Sequence, residues 1–70
     1  MAYEEKFDEA INYFFKALRI NPYLIEAHIN LGVVLKKTGK KDEAIKHFSE
    51  ALRLRPDDKT VRRHLESCID

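Results

Sequence analysis

KKDEAIKHFSEALRLRP, residues 40–56, repeats KFDEAINYFFKALRINP, residues 6–22, after a shift of 34 positions. Lys40, Asp42, Glu43, Ala44, Ile45, Phe48, Ala51, Leu52, Arg53 and Pro56 find the same residue type at Lys6, Asp8, Glu9, Ala10, Ile11, Phe14, Ala17, Leu18, Arg19 and Pro22, ten of seventeen places. Average composition would give about one such coincidence. A period of this size marks stacked supersecondary units, none of which buries its apolar face alone.

Inside each copy the apolar residues return at intervals of three and four, which is the spacing of one helix face. Phe7, Ile11, Phe14 and Leu18 form such a stripe, with Ala10 and Ala17 beside it. The first helix is expected from about Ala2 to Ile20. Asn21-Pro22 stops it, because the residue before a proline avoids the helical region. A second helix, from about Leu24 to Thr38, carries Ala27, Leu31, Val34 and Leu35. Gly39 suits a left-handed cap, and Lys36 and Lys37 complement the negative end of the helix dipole. A third helix, from about Lys41 to Leu54, has Asp42 and Glu43 in its first turn. Pro56 follows its end, and Asp57 or Asp58 can cap a fourth helix from about Lys59 to Ile69. The expected fold is all-α: four helices in antiparallel helix-turn-helix repeats.

This assignment also disposes of a second reading of VVLKKTGKKDEAI, residues 33–45. A phosphate-cradling loop needs G-x-x-x-x-G-K-[ST] after a strand. Here six residues separate Gly32 from Gly39, Lys41 stands where Ser or Thr should, and a helix precedes. The stretch reads as a solvated turn with charges matched to two helix ends. A weak grip on acidic partners through Lys36, Lys37, Lys40, Lys41 and Lys46 remains an alternative.

Thirteen Lys and Arg against twelve Asp and Glu leave a net charge of +1, without the basic excess of a nucleic-acid binder. At 44% hydrophobic and 36% charged, the 70 residues are too apolar for disorder and suffice for one small domain. Cys68 is the single cysteine, so no internal disulfide forms. A reducing, cytoplasmic setting is expected. No apolar run reaches the roughly 18 residues of a membrane helix, so no membrane partner is expected.

The spacing now resembles the tetratricopeptide repeat, a 34-residue helix–turn–helix unit with the pattern W-x2-L-G-x2-Y … A-x3-F … P. The complete unit reads His28-x2-Leu31-Gly32-x2-Leu35, then Ala44-x3-Phe48, then Pro56. An earlier half-unit reads Ala10-x3-Phe14, then Pro22. A later one, Arg62-x2-Leu65-Glu66-x2-Ile69, keeps only the spacing. One domain over 1–70 results: the second helix of a partial repeat in 1–22, a complete repeat in 23–56, and a first or capping helix in 57–70. Glu66 replaces the small glycine, so the fourth helix is expected to end the array. Gly32, Ala44, Ala51, Phe48 and Pro56 are the expected packing set. The small residues admit a close helix, Phe48 fills the space, and Pro56 separates units.

The resemblance implies a non-enzymatic module that binds a protein or peptide in a concave groove lined by the first helix of each repeat. Carried over, the groove residues are Glu26, Ile29, Asn30, Val33, Lys36 and Lys37, continued by Thr60, Arg63, His64 and Ser67. Ile29 and Val33 stand where some members clamp a carboxylate with Lys and Asn, so that clamp is not expected. The groove should be apolar at its centre and cationic toward Lys36 and Lys37.

Other chemical signals are weaker. His28, His47 and His64 are too far apart in sequence to form a metal-ligating pair, and no cysteine pair accompanies them. Cys68 and His64 share a helix face but lack the cleft and oxyanion donors that a nucleophile needs. No cofactor, metal or catalytic residue is expected. Six of the seven aromatics precede residue 24. That loading, and the absence from this chain of a first helix to pair with residues 1–22, predicts self-association through Tyr3, Phe7, Ile11, Phe14, Phe15 and Leu18. A two-fold dimer would serve, as would a domain swap, with the Lys37–Lys40 turn opening or the terminal helices exchanging. The alternative is a fragment of a longer array, which needs no dimer.

Overall fold

The computed structural model describes residues 2–69, with side chains from Lys6 to Ile69. Tyr3, assigned above to self-association, has its side chain outside that range. Four helices account for the elements: α1 (Ala2–Ile20), α2 (Ile25–Lys37), α3 (Lys41–Leu54) and α4 (Lys59–Ile69). No strand occurs among the described residues.

The boundaries follow from local chemistry. Beyond α1, the Asn21 side-chain oxygen accepts a hydrogen bond from the Tyr23 amide at 3.1 Å and holds the Pro22 turn. Helix α2 is one residue shorter at each end than its sequence suggested. Leu24 is extended (φ −75°, ψ 97°), yet its carbonyl accepts from the His28 amide. Thr38 has left the helical region, yet its amide still reaches Val34. Both are the half-in residues that flank any helix. Gly39 then takes φ +85°, and the Lys40 amide returns to the Leu35 carbonyl at 2.8 Å. That is the left-handed closure expected of a glycine here. Of the two aspartates offered for α4, Asp58 is the cap: its carboxylate accepts from the amides of Thr60 at 3.0 Å and Val61 at 3.2 Å. Pro56 is exposed. An exposed proline at this point interrupts the backbone between helices without filling the interior.

Consecutive helices pack in antiparallel pairs, and α2 also touches α4. Helix α2 is thus the central element, with all three others against it. The molecule measures 37 × 31 × 16 Å. Its short dimension suits two helix layers about 10 Å apart. The core runs along the seams: Ile11 and Leu18 from α1, Ala27, Leu31 and Leu35 from α2, Ala44, Phe48 and Ala51 from α3, and Val61 and Cys68 from α4. Phe48 organises it. Its ring is fully buried, an added Cβ on Gly32 would lie 2.6 Å from it, and His64 stacks on it at 5.2 Å and 8°. One side chain of α3 thereby fixes α2 and α4.

Candidate functional site

The groove residues lie on α2 and α4, which the fold sets side by side. Ile29 and Val33 are half-buried on α2, resting against the core with one side open. Glu26, Asn30 and Lys37 are exposed on α2, as are Thr60, Arg63 and Ser67 on α4, but Glu26 and Asn30 line a hollow shared with α1, and Lys37 lies by Phe7 and Asp8 of α1. Lys36 is half-buried, and its ammonium donates to the Ser67 hydroxyl at 2.5 Å. That hydroxyl donates in turn to the His64 carbonyl at 2.8 Å. Lys36 therefore spans from α2 to α4 and does not stand free. His64 is held flat against Phe48.

The residues expected at a self-association face divide in two. Ile11 and Leu18 are buried against the rest of the chain and present nothing outward. Phe7 and Phe14 are half-buried. Phe15 is 45% exposed, and its ring meets His47 of α3 edge-on. Helical periodicity outlines one apolar stripe, and α2 covers only half of it. The open half, with exposed Tyr13, joins Phe14, Ala17, Leu24 and Ala27 in a shallow hollow between α1 and α2, which Glu26 and Asn30 also line.

One feature escaped the sequence. His28 is buried, and its Nε2 lies 2.9 Å from the Pro22 carbonyl oxygen. A carbonyl only accepts, so that nitrogen carries the proton. The other ring nitrogen of His28, Nδ1, faces Nδ1 of His47 at 3.2 Å and can accept that nitrogen's proton. Burial holds the His47 pKa below its ordinary value, and the neighbouring His28 lowers it further. Glu43 and Glu50 pull the other way, while Lys46 adds to the depression. Two charged rings would turn N–H against N–H. A histidine with a lowered folded pKa binds fewer protons folded than unfolded, so its stabilising effect is present above about pH 6.5 and lost as pH falls below it. The urea midpoint should therefore drop between pH 7.5 and 5.5, with a shallower slope in His47→Gln. A flat wild-type profile would count against the pair. No local motif announces it, since the two residues come from different helices 19 positions apart.

Among the described residues, no group of three or more His, Cys, Asp or Glu side chains is placed to hold a metal ion. Cys68 is a buried free thiol. No described helix is long and apolar enough to cross a membrane.

Comparison with known proteins agrees with this architecture. A family model described as tetratricopeptide repeat matches residues 25–58, which span α2, α3 and the turn before α4. A second, described as TPR repeat, matches residues 2–39, spanning α1 and α2. No curated protein matches the chain. Repeats of this kind generally mediate contacts between proteins. The two matched spans overlap on α2 and together run from the first described residue to the cap of α4: the chain belongs to the tetratricopeptide repeat family.

Proposed function

We propose that the chain is a non-catalytic interaction module that holds an extended or helical peptide in the groove between α2 and α4, and that it self-associates. What supports groove binding is one arrangement: Ile29 and Val33 form an apolar centre that is only half-buried, with the Lys36–Ser67 link at one end. An amphipathic segment fits it, apolar in the middle and acidic at the lysine end. Asp42 and Glu43 sit beside Lys40 and Lys41 at the turn, so the turn does not gather cations alone and is the poorer docking point.

The test is titration with a designed amphipathic peptide carrying acidic residues at one end. Ile29→Asp with Val33→Asp should weaken binding about a hundredfold, because two central apolar contacts become unpaired charges. Lys36→Glu, which reverses the charge at that end, should weaken it about threefold, and chiefly at low salt. Unchanged affinity in the double aspartate variant, with helicity retained, would remove the groove from consideration.

A further inference from the structure

The repeat itself shows what the open half of the α1 stripe is shaped to receive. In α3 the residues Ala44, Phe48 and Ala51 are fully buried, with Gly32 of α2 laid over Phe48. Shifted by 34 positions, the same triple in α1 is Ala10, Phe14 and Ala17, and all three are only half-buried. The small–large–small surface that α3 closes with α2 is present in α1 and unclosed among the described residues. Tyr13, 68% exposed, and Leu24, 40% exposed, extend it.

Helix α4 of another copy is a poor cover. Glu66 occupies the place of Gly32 in the repeat, so a carboxylate would face the Phe14 ring. The required antiparallel order would also set Lys59, Arg62 and Arg63 against Lys16 and Arg19. Helix α1 of another copy answers both objections. We propose that two copies pair through antiparallel α1 helices about a two-fold axis near Tyr13 and Phe14. This gives a definite geometry to the self-association within the functional reading above. Ala10 of one copy then faces Ala17 of the other, and each Phe14 and Tyr13 packs over the small residues opposite. On the solvent rim of the same face, Glu9 comes opposite Lys16 of the partner copy, and the symmetry makes this pair twice. Both side chains are exposed in the single chain, and an isologous contact of this kind closes without leaving an open end.

Charge reversal tests the pairing without touching the interior. Light scattering behind size exclusion should give a dimer at tens of micromolar for the wild-type chain. Glu9→Lys and Lys16→Glu should each weaken it about tenfold, since every dimer then carries two like-charged contacts. Mixed in equal amounts, the two variants should recover the dimer, because each repelling pair becomes an attracting one. Tyr13→Glu, which sets two carboxylates beside the axis, should give a helical monomer. A folded wild-type monomer overturns the proposal, as does a mixture no tighter than its components. Peptide titration of the Tyr13→Glu monomer separates this result from the groove. Loss of the dimer with groove binding retained leaves the peptide reading intact.

Discussion

Phe48→Ala leaves the chain largely unfolded at room temperature. Removing a buried phenylalanine costs about 3–5 kcal/mol, through lost transfer energy and the cavity left behind. Small domains sit near the bottom of the usual range of about 5–15 kcal/mol, because a short chain buries a smaller share of its surface. The substitution therefore removes most of what is available. Collapse around the hole is also obstructed. Gly32 and His64 lie against the ring from α2 and α4, so no one helix can move in without leaving another contact. Urea melts followed by far-ultraviolet circular dichroism check this. The same substitution at Phe14, its half-buried counterpart in the repeat, should cost about half as much, since fewer contacts are lost. Equal losses at the two sites would mean that residue type, rather than closure by a neighbouring helix, sets the energy.

That contrast shows what one-dimensional pattern conveys and what it does not. The helix ends were legible because their causes are local: a proline after Asn21, a glycine able to take positive φ at 39, carboxylates near the start of α4. Choosing Asp58 over Asp57 needed the direction in which the chain leaves Pro56. The period marked Ala44, Phe48 and Ala51, yet identical residues 34 positions earlier are only half-buried, because burial needs a covering helix as well as the right residue. The division of the α1 stripe was not legible. Ile11 and Leu18 are the sequence neighbours of Ala10 and Ala17, about 100° round the helix from them, and the crossing of α2 over α1 decides which side is sealed. The His28–His47 pair and the Lys36–Ser67 link were hidden for a related reason. Each joins helices whose relative height is fixed by packing elsewhere, largely by Gly32 against Phe48.

Gly32→Leu tests that fixing contact directly, and here two effects of opposite sign meet. Glycine inside a helix is a poor former, and replacing it gains up to about 1 kcal/mol of helix propensity. Against this, an ideal Cβ at position 32 would stand 2.6, 2.8 and 2.9 Å from three carbons of the Phe48 ring. The ring is fully buried and cannot swing aside without displacing its neighbours. Overpacking of this kind costs about 1–3 kcal/mol and sometimes more, and leucine brings three further carbons into the same space. The penalty wins, so a net loss of about 2 kcal/mol or more is expected, with α2 pushed away from α3. Gly32→Ala isolates the first carbon and should still destabilise, although alanine is the best helix former. Shrinking the ring supplies the control. In Phe48→Leu the obstruction is partly removed, so Gly32→Ala should there become neutral or stabilising. The coupling energy of that double-mutant cycle should exceed about 1 kcal/mol, as for residues in direct contact. A cycle that closes without coupling would mean that the glycine serves the backbone of α2 and not the approach of α3, and the close contact would no longer explain how the two helices hold their register.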